Sequence, residues 1–185
     1  MLSIFRWPFG RQAPGTQGRA TIEAIYGAIV AQSRLPVFYR EFAVPDTVES
    51  RFDMVLLHLW MVLRRMNATE GGNALSQALF DHFCSDMDDN LREMGVGDLT
   101  VPKKMQAFGE AFYGRSKAYD AALGDPAALA DAVARNILND PDPRAGDRLA
   151  AYVAAAVASL DQVEDGAFQR GAWQFPDPAV QGAAQ

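Results

Sequence analysis

Cysteine and histidine are nearly absent: Cys84 stands alone, with His58 and His82 the only histidines in 185 residues. One cysteine forms no disulfide within the chain, which suits a reducing compartment. Three soft ligands with no ligand-like spacing argue against zinc, which takes four such groups or three and water. Val and Ile are sparse and no stretch alternates with period two, so sheet architectures are disfavoured. The longest apolar runs, Met54–Leu63 (broken by His58) and the alanine-rich Leu149–Leu160, fall short of the roughly 20 residues that span a bilayer. A basic excess is missing too. The net charge of −6 speaks against sequence-specific recognition of nucleic acid.

What is present is Ala, Leu, Met and Phe at helical spacing. The chain is long enough for one domain with its own core. We expect an all-α, single-domain bundle of about six helices, residues 20–166, between a disordered N-terminal tail (1–19) and an extended C-terminal tail (167–185). The first helix is expected over Thr21–Ser33 and a short helical turn over Val37–Phe42. Pro45-Asp46-Thr47 opens a second helix running to Asn67, with Phe52, Leu56, Leu59, Leu63 and Met66 on one stripe. A third spans Asn73–Met94 and stops at Gly95. The fourth starts near Pro102, where a missing N–H costs nothing, and ends before Gly124. The fifth follows Asp125-Pro126 to Leu138, and the sixth covers Asp147–Asp165. Trp173, Phe175, Pro176 and Pro178 make the final segment too proline-rich for a helix, with aromatics available to dock on the domain.

The N-terminal tail carries Arg6, Arg11 and Arg19 and no acid, which leaves −9 for residues 21–185. Phe5, Arg6, Trp7, Phe9 and Arg11 together suit weak, reversible contact with a membrane surface, at about 1 kcal/mol per basic residue. This start lacks the apolar core and cleavage site of a secretory signal, so the expected location is cytoplasmic, at most peripheral at the inner face of the membrane. Without a secretory route the sequon Asn67-Ala68-Thr69 is accidental.

Several motifs begin and then fail. Asp86-x-Asp88-x-Asn90 opens like a calcium loop, but Leu91 stands where a glycine is needed and Gly97 where a bidentate glutamate belongs. Gly95-Val-Gly97 resembles a dinucleotide fingerprint, yet the third glycine is Thr100 and a helix precedes it instead of a strand. Cys84 and a histidine would make a thiol nucleophile pair only if the fold brought them together. No metal, no cofactor and no catalytic residue is expected, and the chain does not read as an enzyme.

Charge patterning is more suggestive. Arg51, His58 and Arg65 recur at sevens on the second helix, and Asp81 and Asp88 on the third. Antiparallel packing lets these rows meet, as exposed pairs worth about 0–1 kcal/mol each or as a polar recognition seam. His58 alone also fits a hydrogen-bonded core histidine. Lys103 and Lys104 open the fourth helix, where the macrodipole prefers acids, a placement that fits either a binding role or a solvated turn.

Long ordered strings carry a family resemblance. They are Arg51-Phe-Asp53-Met-Val-Leu-Leu-His58-Leu with Leu63-Arg64-Arg65; Leu79-Phe-Asp81 with Asp86-Met-Asp88; Leu91-Arg-Glu-Met-Gly-Val-Gly-Asp98; Val101-Pro-Lys103-Lys-Met105; and Ala111-Phe-Tyr-Gly-Arg115. With Ile25-Tyr-Gly and Phe38-Tyr39, residues 21–160 resemble the ubiquinol–cytochrome c chaperone family. The resemblance implies an all-helical assembly factor for the cytochrome bc1 complex, with newly made cytochrome b or another bc1 subunit as client and the ribosome nearby. With few residues before its first helix, the chain looks like a bacterial member. For such a factor we expect binding without covalent chemistry, in a groove between the third and fourth helices rimmed by Arg92, Glu93, Asp98, Lys103, Lys104 and Arg115, with Met94, Met105, Phe112 and Tyr113 as adaptable contacts. Arg51, His58, Arg65 and Asp88 complete the candidate set. Since Met105, Phe108, Phe112 and Tyr119 share one face, exposure decides which aromatics belong to a surface. The competing class is a helical small-molecule-binding or regulatory domain.

Overall fold

A computed structural model describes residues 16–69, 71–140 and 142–181. The expected membrane-contact residues Phe5, Arg6, Trp7, Phe9 and Arg11 lie outside that range. Among the described residues the secondary structure is entirely helical. The long elements are α1 (Thr16–Ser33), α3 (Val48–Asn67), α4 (Gly72–Glu93), α5 (Val101–Ala122) and α7 (Asp147–Asp161). Shorter ones are α2 (Pro36–Glu41), α6 (Pro126–Val133), α8 (Ala167–Arg170) and α9 (Pro178–Gln181).

Local chemistry sets most of these boundaries. Thr47 caps α3 by accepting from the Ser50 amide at 3.1 Å, and Asp125 caps α6 by accepting from Ala127 and Ala128; such caps contribute about 1 kcal/mol each. Gly95, at φ +79°, ends α4 in the left-handed conformation that a side chain disfavours. At the other end of that helix, a Cβ on Gly72 would lie 1.8 Å from the Met66 carbonyl oxygen, so the α3–α4 turn closes only over glycine.

The bundle is built around α3. Every residue from Asp53 to Leu63 is buried, because α3 packs against α1, α4, α5 and α7 together. The stripe Phe52, Leu56, Leu59, Leu63 and Met66 therefore understates it: a helix apolar on all sides is a central one.

Three expectations about the ends are corrected. The first helix starts at Thr16, so residues 16–19 belong to α1 and not to a disordered tail. The sixth helix stops at Asp161, and α6 passes into a π-helical turn, Ala134–Leu138. The C-terminal segment also contains two helical turns, α8 and α9. Pro178 sits in the first turn of α9, where its missing N–H is harmless, and Asp177 accepts from the Ala179 amide at 2.8 Å. The aromatics of this segment do dock: Phe175 is buried and Trp173 half-buried.

Candidate functional site

The chain direction makes α4 and α5 an antiparallel hairpin whose turn, residues 94–100, stands clear of the core. Its inner face is aromatic. Phe80 lies 5.3 Å from Phe112, and Phe83 lies 5.3 Å from Phe108. Phe112 and Met105 are buried, which removes both from a contact surface. The outer face and turn carry what remains: Met94 at 79 % exposure, Leu99 at 91 % and Tyr113 at 41 %. Leu99 was missed by pattern reading because a leucine beside a helix start reads as core. Burial of its ring pushes the Tyr113 phenol up to about 12.

Charges around this turn are organised by Arg92, which bridges Asp88 at 2.5 Å and also holds Asp98. Glu93, Lys103 and Lys104 are exposed. Arg115 lies further along α5 and faces inward, donating to Asp53 of α3. Desolvation raises the Asp53 carboxyl, and Arg115 opposes that rise. Arg115 is thus a tie between helices.

Of the two outcomes for the sevens rows, exposed pairs or a polar seam, the contacts of the α3 row give neither. Arg51 pairs with Asp46 at 2.6 Å and stacks over Tyr39. Arg65 turns the other way and donates to the Leu160 and Val163 carbonyls and to Asp165, closing the end of α7. Asp81 accepts from Gln77 on its own helix. His58 has 0 % exposure, which excludes it from surface contact. Its Nδ1 lies 2.7 Å from the Met54 carbonyl oxygen, so that nitrogen carries the proton and donates. Nε2 then accepts from the Tyr152 hydroxyl at 2.9 Å. Tyr152 in turn accepts from Gln32, whose amide also donates to the Pro176 carbonyl. This chain ties the C-terminal segment to the centre of the bundle.

The soft ligands stay apart. His82 packs edge-on against Tyr26, and Cys84 is half-buried with its thiol pushed up to about 11 by desolvation. Among the described residues no three metal-ligating side chains gather. A thiol raised from 9.0 to about 11 holds roughly 100-fold less thiolate, the reactive form. Labelling of the folded protein by Ellman's reagent at pH 8 should be slower by about that factor than in urea. Equal rates would show Cys84 to be a reactive thiol. A shallow concavity of about 440 Å³ lies elsewhere, between α1 and α8, lined by Ala24, Ala28, Phe168 and Trp173 among others.

The described residues form an all-helical domain whose α4–α5 turn exposes apolar side chains among charged ones. Comparison with known proteins is specific. Residues 40–175 match the family described as ubiquinol-cytochrome C chaperone, and the chain belongs to that family. It is 30% identical over 144 residues to a ubiquinol-cytochrome-c reductase complex assembly factor 1 of Xenopus laevis, covering 76% of this chain and 72% of that protein. The mouse counterpart is 31% identical, with 75% of this chain covered, and the chain spans about half of that protein's length, 48%. The crystal structure of a Cbp3 homolog from Brucella abortus superposes with a TM-score of 0.80 at 38% identity, covering 88% of this chain and 92% of the other. Among the described residues no helix is long and apolar enough to cross a membrane.

Proposed function

We propose that this chain is an assembly factor for the ubiquinol–cytochrome c reductase (bc1) complex, and that it binds newly made cytochrome b by non-covalent contacts and catalyses no reaction. Family membership carries the bc1 assignment. The observation that supports a contact mechanism is the α4–α5 turn, where Met94, Leu99 and Tyr113 are exposed beside Arg92, Glu93, Asp98, Lys103 and Lys104. Flexible thioether and aromatic side chains adapt to a client that has not finished folding. His58, Phe112 and Met105 act only by shaping the core beneath, while Arg65 and Arg115 hold helices in place.

The protein would work on the cytoplasmic side, near the inner face of the membrane, where the client is made. Deleting the gene should lower the b-type haem absorbance of the bc1 complex in isolated membranes, with restoration from a plasmid copy. Normal b-haem in the deletion strain would sink the assignment.

A further inference from the structure

Exposed apolar side chains collect at one end of the bundle. Phe52 of α3, Phe83 of α4 and Phe108 of α5 pack against one another, with ring centroids 5.3–6.4 Å apart, as an aromatic layer near that end. Beyond it α3 runs back to Val48, which is 79 % exposed, while α4 runs on to Met94. Along its own helix Val48 lies about 6 Å from Phe52, and Met94 about 16 Å from Phe83, at 1.5 Å per residue. Met94 and Leu99 are the exposed apolar side chains of the α4–α5 turn, and Val48 is exposed at the start of α3. Grouped apolar exposure of this kind marks a contact surface.

Charge selects what that surface takes. Residues 85–104 hold five carboxylates (Asp86, Asp88, Asp89, Glu93, Asp98) against three cations (Arg92, Lys103, Lys104), a net of −2. Asp89 and Glu93 are exposed on the last turns of α4, and among the described residues neither joins an ion pair. An anionic lipid surface or an acidic segment would be repelled. An apolar segment rich in Lys and Arg would be attracted. Membrane proteins carry such segments next to their spans on the side from which they insert.

We infer that the α4–α5 turn, with Met94 and Leu99 exposed and Asp89 and Glu93 on the last turns of α4, binds a short apolar and basic juxtamembrane segment of the client. This rests on the reading of the chain as a bc1 assembly factor acting on a membrane subunit. Lys103 and Lys104, at the start of α5, repel such a segment and confine it to the α4 side, so the same surface sets its orientation.

The test uses the full chain and a fluorescent twelve-residue Leu/Lys peptide, with a Leu/Glu peptide of the same spacing for comparison. At low salt the Leu/Lys peptide should bind about tenfold or more tightly than the Leu/Glu peptide. Asp89→Lys/Glu93→Lys should abolish that preference, and Met94→Ser/Leu99→Ser should weaken the Leu/Lys complex about fivefold or more. Lys103→Glu/Lys104→Glu should tighten it. The acid reversals put cations at a helix C-terminus, where they favour folding, and the serines replace exposed side chains only. Asp131→Lys/Glu164→Lys makes the same charge change elsewhere and should keep the preference. Loss of preference in that control, or its survival in Asp89→Lys/Glu93→Lys, would overturn the site. Both the acid-reversed and the serine variants should also fail to restore b-haem in the deletion strain. Full rescue by both would remove this site and leave the assembly role standing, whereas normal b-haem in the deletion strain would remove the assembly role itself.

Discussion

Truncating Phe38 to alanine is expected to cost about 3–5 kcal/mol of unfolding free energy, the usual loss for a buried aromatic ring. Phe38 has 0 % exposure, although it sits on the six-residue α2. Its ring meets Tyr152 at 4.9 Å, Phe42 at 5.3 Å and His58 at 5.5 Å, all edge-on, the arrangement that aromatic quadrupoles favour. A hole at that point lies against the His58–Tyr152 hydrogen bond, so the core cannot collapse without breaking a buried polar contact. For a domain stable by about 5–15 kcal/mol, this one change threatens folding at growth temperature. Urea denaturation of the two proteins measures it. A loss below about 1 kcal/mol, far under the usual range, would mean that α2 is not anchored through this ring.

The same residue shows what sequence reasoning reaches. Pro36 and Pro45 bracket α2, and a helical turn between them is legible, but nothing in a six-residue segment says that it closes the core. The five long helices and α6 could be read from three-and-four spacing and from caps such as Thr47, Gly95 and Asp125, since those signals are local. The depth of α3 was not legible: a helix surrounded by four others loses its polar face, and the stripe alone cannot reveal neighbours on the other sides. At the candidate surface, charge was readable and exposure was not. Met94, Met105 and Phe112 are equally apolar letters, yet only Met94 points to solvent. Arg51, His58 and Arg65 share a helical face, but α7 and the residues beyond it take two of them. Asp88 of the row on α4 pairs with Arg92 of its own helix. Periodicity fixes which residues share a face, and tertiary packing decides what that face meets.

Lowering the pH should destabilise this fold through His58. The imidazole is fully buried, and desolvation lowers it from 6.5 to about 4, with the Met54 hydrogen bond opposing. Above about pH 6.5 the ring is neutral in both the folded and the unfolded chain, and the contribution is complete. Between there and about pH 4 only the unfolded chain takes up the proton, so stability falls with pH. At 1.36 kcal/mol per pH unit the whole loss is about 3 kcal/mol. Asp53 works in the opposite sense. Its raised carboxyl binds a proton more readily when folded, so it favours folding as the solution becomes acidic. The difference between the wild-type chain and His58→Gln therefore isolates the histidine, since both keep Asp53. Glutamine can donate to Met54 and accept from Tyr152 without titrating. Urea midpoints at pH 7.5 and 4.5 should fall further for the wild-type chain than for the variant, by most of that 3 kcal/mol. Parallel falls would mean that His58 is protonated inside the fold. The Tyr152 hydroxyl would then have to turn its proton away from Nε2 and accept from it instead, reversing the hydrogen bond. The ring of the folded chain stays neutral down to about pH 4, so the hydrogen-bond chain from His58 through Tyr152 and Gln32 to the Pro176 carbonyl should hold the C-terminal segment in place over that range.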